Sequence, residues 1–311
     1  LAAGFLAVFY VLTGYVIFYS KEEISQPLSA KALDATDSDS IQDIQAYIHP
    51  PNETSNYPIR DADIPAPQIT AKSAIVYDLA SAKILFEKEP NNRLPIASLT
   101  KIMSAVIVIE NLRLDDVVTI TAESIKVDGE KQDLYLGEKI TVESLLKYML
   151  IASSNDSAYA LKNYAVSQGI PFIQKMNDKA EQLKMNNSRF IDPAGLNDDA
   201  YSGTNDLKKL IEYSLKYDII WQTLANKEAT IVSEDENIKH NIQNTNKLLG
   251  VLPNLIGGKT GNTEGALGCM ILILDVPEKN DKILIVVLGS TERFDDARKL
   301  GEWAFKAFRW K

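Results

Sequence analysis

The order of its hydrophobic periodicities constrains this chain most. Two strand-like runs, Ser73–Asp78 and Lys83–Glu87, come first, joined by a short turn. A block of helical spacing follows: Ser98 to about Leu112, Thr141–Leu150, Ser157–Ala165, Phe172–Leu183 and Thr204–Lys216. Val117–Ile120 interrupts it as a short strand candidate, and Thr204-Asn205-Asp206 reads as a helix cap. Two more strand-like runs, Gly268–Leu274 and Ile283–Leu288, then precede a closing helix over Asp295–Phe308, with Leu300, Trp303, Ala304, Ala307 and Phe308 on one face. Strands at both ends and helices between predict an α+β domain: an antiparallel sheet assembled from the two ends, flanked by helices and carrying a helical subdomain. No internal repeat is present.

The domain is expected over residues 71–311. Before it, Leu1 to Ser20 carry no charge and are mostly apolar. About 20 such residues match a membrane-spanning helix, and a cleavable signal has an apolar region of only about 7–15. Lys21-Glu22-Glu23 follows where a small-x-small site would stand, so an uncleaved N-terminal anchor is favoured over a signal peptide or a buried helix. Residues 21–70 hold six of the twelve prolines and an acidic stretch from Asp34 to Ser40, the composition of a linker. These readings hold the domain away from the membrane on a single-pass anchor.

Composition narrows the chemistry. A net charge of −9 with no basic stripe argues against a nucleic-acid partner. The single cysteine, Cys269, rules out an intrachain disulfide. With only His49 and His240, one of them in the linker, a Ser-His-Asp triad or a His/Cys metal site is poorly supplied.

A different nucleophile is available. Pro95-Ile96-Ala97 reads as a turn into the first helix, which places Ser98 in its opening turn and Lys101 one turn on. Positions i and i+3 of a helix are neighbours, with Cβ atoms about 5–6 Å apart. A hydroxyl and an amine held so, beside the apolar run Ile102–Ile109, make a candidate nucleophile and base. The pattern alone is weak, because Ser144-x-x-Lys147 repeats it inside an amphipathic helix with no turn before it. Two further elements separate the pairs. Ser153-Ser154-Asn155 follows directly on an apolar helix, and Lys259-Thr260-Gly261 sits among glycines that permit close approach to an extended ligand at a sheet edge. Ser153 follows Ser98 by 55 residues and Lys259 follows Ser153 by 106. Ser-x-x-Lys, Ser-x-Asn and Lys-Thr-Gly in that order are the signature set of penicillin-binding proteins and serine β-lactamases.

From about Ala71 to Phe308 the chain resembles the D-alanyl-D-alanine carboxypeptidases, the low-molecular-mass penicillin-binding proteins. The similar stretches are Ala97–Met103, Ile151–Ala158, Asp192–Leu196, Asn244–Leu249 and Gly258–Glu264. The resemblance implies a β-lactamase/transpeptidase-like fold. It implies an extracytoplasmic enzyme that removes the terminal D-alanine from peptidoglycan stem peptides, is acylated by β-lactams, and needs no metal or cofactor. Ser98 would be the nucleophile, Lys101 its base and Ser153 the proton relay. Asn155 would bond the substrate amide and Lys101. Lys259 and Thr260 would bind the terminal carboxylate beside Gly261, with Lys259 as the second cation that helps keep Lys101 neutral. The backbone N–H groups of Ser98 and Asn262 would form the oxyanion hole, and Arg293 resembles the family's additional carboxylate-binding arginine.

The chain departs from the family pattern at Ser154, where Gly is usual, at Asp192, where Asn usually precedes the Pro, and at Ala266-Leu267-Gly268, where Ala-Gly is common. None removes a reacting group. Its expected anchor is N-terminal, where many relatives carry a further β-rich domain and a C-terminal membrane helix. A DD-endopeptidase acting on cross-links is the nearest alternative. A β-lactamase lacks the expected Glu-x-x-Leu-Asn between the second and third motifs, and a penicillin-sensing domain lacks signalling partners.

Overall fold

The structure, a computed structural model, describes residues 57–125 and 134–311. The anchor and most of the linker expected from the sequence lie outside the described residues. Among the described residues no helix is long and apolar enough to cross a membrane.

The chain begins with β1 (Pro58–Arg60), β2 (Ser73–Asp78), β3 (Lys83–Lys88) and the short β4 (Leu94–Pro95). A 3-10 turn at Ala97–Leu99 leads into α1 (Thr100–Asn111). The helical region continues with β5 (Val117–Thr119), α2 (Ala122–Ile125), β6 (Lys139–Thr141), α3 (Val142–Ile151), α4 (Asn155–Ser167) and α5 (Phe172–Gln182). Then come β7 (Tyr201–Ser202), α6 (Thr204–Ser214), α7 (Asp218–Ala225) and the hairpin β8 (Glu228–Val232) with β9 (Lys239–Gln243). The last segment supplies β10 (Leu255–Thr263), β11 (Leu267–Asp275), β12 (Lys282–Ser290), α8 (Arg293–Ala307) and β13 (Phe308–Trp310).

The main sheet is five-stranded and antiparallel in the order β10-β11-β12-β2-β3, so both ends of the domain contribute, as expected. Its central strands are continuous apolar runs because both faces are covered. Ile271, Ile273, Leu284 and Val286 face the core built around α1, whereas Met270, Leu272, Ile283 and Ile285 face α8. Burying each such side chain contributes about 1.5–3 kcal/mol. Helix α1 runs through the first of these cores, with Thr100–Val108 all buried, so its apolar surface is not confined to one stripe.

Three details differ from the sequence reading. Residues 58–70, read as linker, are already tied into the domain. Strand β1 pairs with β13, Asp61 N donates to Ala307 O at 2.7 Å, and Ala71 N donates to the Asp296 carboxylate at 2.9 Å. The Thr204-Asn205-Asp206 cap does not form: Gly203 holds the cap position without a side-chain bond. Asp206 instead accepts from Asn187 N at 2.6 Å and pairs with Lys209 at 2.8 Å. Helix α7 and the β8–β9 hairpin are additional elements, the helix too short and the hairpin too short and too polar to stand out by periodicity.

Candidate active site

Ser98 does not sit in the α-helix. It lies in the 3-10 turn just before it, half-buried, preceded by Ala97 at φ 47°. A left-handed backbone costs a non-glycine residue about 1–2 kcal/mol. Two glycines hold Ala97 there. A Cβ on Gly195, itself at φ +77°, would stand 1.9 Å from Ala97 O, and one on Gly261 would stand 3.0 Å from Ile96 O and 3.1 Å from Ser98 N. The 192–199 loop and strand β10 therefore press against the turn from two sides, and only glycine permits either contact. The short β4–β7 pairing, Leu94 with Ser202 and Pro95 with Tyr201, anchors that loop beside the turn.

Lys101 is fully buried, and its Nζ reaches three oxygens: Ser98 Oγ at 2.8 Å, Asn155 Oδ1 at 2.8 Å and Ala194 O at 2.9 Å. Burial pulls its pKa down to about 7, partly opposed by the charge of Asp192. Asn155 is the first residue of α4, whose N-terminus is capped by Ser154 Oγ accepting from Ser157 N at 3.1 Å. The departure at Ser154 thus supplies a cap. Ser153, at φ 61°, points its hydroxyl to Lys259, whose Nζ donates to Ser153 Oγ at 2.8 Å and to Thr260 O at 3.0 Å. Lys259 is 1% exposed and lies well below the ordinary lysine range, first through burial, then through the nearby charges of Lys101 and Arg293. Both amines are shifted the same way. For Lys101, however, burial alone does the lowering, and the second cation that the sequence reading invoked is not among the causes: the like-charge repulsion falls on Lys259 instead.

Lys259-Thr260-Gly261 occupies the middle of β10, the edge strand of the sheet, rather than a turn ahead of a strand. Its outer edge faces a cleft of about 480 Å³ lined by Ser98, Ser153, Asn155, Thr260, Asn262 and Arg293, among others. Arg293 opens α8 and donates from Nη1 to Asn262 Oδ1 at 2.9 Å. Gly268, where the family order was broken, makes room for it: a Cβ there would meet Arg293 Cβ at 2.9 Å.

All nine residues singled out from the sequence are thus drawn to one cleft or to the buried wall directly behind it. The competing pair is not. Lys147 forms a half-exposed ion pair with Glu143 at 2.6 Å, and Ser144 N is taken by the cap of α3, Thr141 Oγ1, at 3.2 Å. Three residues to which the sequence reading gave no role also shape the site. Thr245 lines the cleft and shares a hydrogen bond with Thr260 between hydroxyl oxygens 2.6 Å apart. Ala194 presents its carbonyl to Lys101, and Asp192 organises the loop that carries it. All three lie in stretches that carry the family resemblance, but nothing in their side-chain chemistry singles them out.

A serine and two buried lysines at the junction of an antiparallel sheet edge and a helical region define a Ser–Lys type of site on an α+β fold. The family model described as D-alanyl-D-alanine carboxypeptidase matches residues 61–292. The D-alanyl-D-alanine carboxypeptidase DacF of Bacillus subtilis is 32% identical over 247 residues, 76% of this chain and 63% of that protein. The D-alanyl-D-alanine endopeptidase of Pseudomonas aeruginosa is 30% identical over 241 residues, 76% of this chain and 77% of that protein. Among solved structures, the Streptomyces K15 DD-transpeptidase superposes with a TM-score of 0.72 at 28% identity, covering 78% of this chain and 100% of that one. The chain belongs to the D-alanyl-D-alanine carboxypeptidase family. It spans less than two thirds of the length of the Bacillus relative.

Proposed function

We propose that the protein is a serine-type D-Ala-D-Ala carboxypeptidase that releases the terminal D-alanine of peptidoglycan stem peptides through an acyl-enzyme on Ser98. The observation that carries this reading is the coordination of Lys101. A neutral amine has two hydrogens and one lone pair. Two of its three neighbours, Asn155 Oδ1 and Ala194 O, are carbonyl oxygens that only accept. They take both hydrogens, so the lone pair faces the third neighbour, the Ser98 hydroxyl at 2.8 Å. With a pKa of about 7, near half of the amine is neutral at pH 7. Lowering it from 10.5 costs on the order of 5 kcal/mol, supplied by the fold.

In the proposed reaction the Ser98 proton moves to Lys101 Nζ as Oγ bonds the carbonyl carbon between the two D-alanines. The oxyanion lies between the N–H groups of Ser98 and Asn262, which the Gly261 contact brings together; one such donor is typically worth about 2.7–4 kcal/mol. The proton on Lys101 is then relayed through Ser153, held by Lys259, to the leaving amine as the C–N bond breaks, which returns Lys101 to its neutral form. Thr260 and Arg293 supply hydroxyl and positive charge for the terminal carboxylate, with the Lys259 amine as a hydrogen-bond donor behind them. Water then releases the acyl group. β-Lactams fit the same cleft as acylating inhibitors. The uncharged residues 1–20 and the Pro-rich stretch after them support placing this domain outside the membrane on an N-terminal anchor.

The test is release of D-alanine from a D-Ala-D-Ala peptide, together with labelling by a fluorescent penicillin. Ser98→Ala should abolish both and Ser144→Ala neither; covalent labelling of Ser98→Ala would sink the assignment. The endopeptidase name of the Pseudomonas relative favours a second reading, cleavage of cross-links. Mass spectrometry of products from cross-linked muropeptides separates the two.

A further inference from the structure

The residue that distinguishes the neighbourhood of Lys101 is an acid. Asp192 is 8% exposed and both its oxygens are committed to one loop. Oδ1 accepts from the N–H groups of Ala194 at 2.7 Å, Gly195 at 2.6 Å and Leu196 at 3.2 Å, and Oδ2 from Asn197 at 2.9 Å. Four donors converging on one carboxylate curl the chain so that the Ala194 carbonyl points back to Lys101 Nζ. Ser104 on α1 fastens the same loop, donating to Pro193 O at 2.6 Å. Among the described residues no basic side chain lies within ion-pair distance of Asp192, so its charge is balanced only by N–H dipoles.

We propose that Asp192 is a positioning residue for the Lys101 base, whose carboxylate shapes the loop that receives the amine and places a negative charge beside it. The inference rests on the acyl-enzyme reading above and adds to it the pH range in which the enzyme works. The charged and titratable groups around the pair come from three elements. Lys259 of β10, held well below the ordinary lysine range by burial, also feels the charges of Lys101 and of Arg293 of α8. Tyr159 of α4 feels the Asp192 charge and is pushed up to about 12, by burial first. Asp192 is the one acid of this set. It opposes the burial that drives Lys101 to lose its proton, so it keeps the pKa from falling further. An asparagine at this position, usual in the family pattern, keeps the Oδ1 contacts and drops the charge.

The experiment is the pH profile of acylation by a fluorescent penicillin in wild type and Asp192→Asn. Rate rises with pH as Lys101 becomes neutral. Removing the negative charge should move this acid limb to lower pH by about one unit, making the variant about fivefold faster relative to its own plateau one unit below the wild-type midpoint. A limb that stays within about 0.2 unit of wild type overturns the proposal. If Asp192→Asn does not fold, Asp192→Ser takes its place; failure of both neutral variants assigns Asp192 to folding alone and equally overturns it. Ser98→Ala is run alongside. Label that persists without Ser98 refutes the acyl-enzyme reading itself, whereas label lost with Ser98 beside an unmoved limb refutes only the role of Asp192.

Discussion

Replacing Gly195 with Ala tests whether contact between the loop and the nucleophile turn aims Ser98. The added Cβ would lie 1.9 Å from Ala97 O, 2.5 Å from Ala97 C and 2.6 Å from Thr100 Oγ1. Two of these are backbone atoms, with no flexible side chain to yield. Reaching even 3.0 Å from Ala97 O requires the loop and the turn to part by about 1 Å. Overpacking of this kind costs about 1–3 kcal/mol, and an alanine at φ +77° adds about 1–2 kcal/mol. The total, about 2–5 kcal/mol, corresponds to a fall in Tm of roughly 5–15 °C for a domain of this size. The movement also carries Ala194 O away from Lys101 Nζ, now at 2.9 Å, and a displacement near 1 Å costs about a hundredfold in rate. Gly169→Ala is the control. It has nearly the same backbone angle, φ +79°, and nothing within 4 Å of the new Cβ, so it isolates the backbone penalty and should leave acylation untouched. Acylation by fluorescent penicillin and thermal unfolding are measured on both variants. If Gly195→Ala acylates within about threefold of wild type and melts no lower than Gly169→Ala, the loop does not aim the nucleophile and the reasoning fails.

Three further outcomes follow from two buried titrating groups. With Lys101 lowered to about 7 by burial, wild-type acylation should fall tenfold per pH unit well below that value. Because the unfolded chain holds that proton up to 10.5, this group's contribution to stability should rise with pH between about 7 and 10.5, measurable by denaturant titration. Asp281 is 4% exposed and faces Asp78, and burial with this neighbour raises it from 3.8 to about 6. The folded state binds the extra proton, so stability from this pair is present below about 4 and lost as pH rises through about 6. Asp281→Asn supplies a permanent N–H in place of that proton. It should raise Tm at pH 8 and leave it nearly unchanged at pH 4; equal effects at both would refute the shared-proton account.

Much of the site was legible in the chain because its groups are local and chemically marked. Ser98 and Lys101 are three residues apart, and any helical or 3-10 turn brings them together. Ser153 and Asn155 flank a helix start, a position the apolar run before them marks. The strands β11 and β12 announced themselves as unbroken apolar runs, the mark of a sheet covered on both faces. The elements that escaped carry weak local signals. Hairpin β8–β9 alternates exposed and buried positions over five residues a side, too short for periodicity to stand out from loop. Strand β1 is three residues of a Pro-rich stretch and is a strand only because β13, about 250 residues on, pairs with it. Thr204 offers good cap chemistry, but Asp206 is taken by Asn187 and Lys209, and the helix starts without a side-chain cap.

By itself, then, the sequence picked out the candidate groups and their order along the chain: a hydroxyl and amine one turn apart, a Ser-x-Asn directly after an apolar helix, a Lys-Thr-Gly among glycines. Those properties depend on residue type and spacing, which local backbone geometry translates directly. The partner motifs already favoured one of the two Ser-x-x-Lys pairs, and only the tertiary structure supplies the physical reason. Ser98 and Lys101 lie where the Asp192 loop and β10 converge on a buried turn, whereas Ser144 and Lys147 lie on a helix face with one side in water. Burial, which takes Lys101 from 10.5 to about 7, is a property of everything packed around it, and no window of sequence contains that.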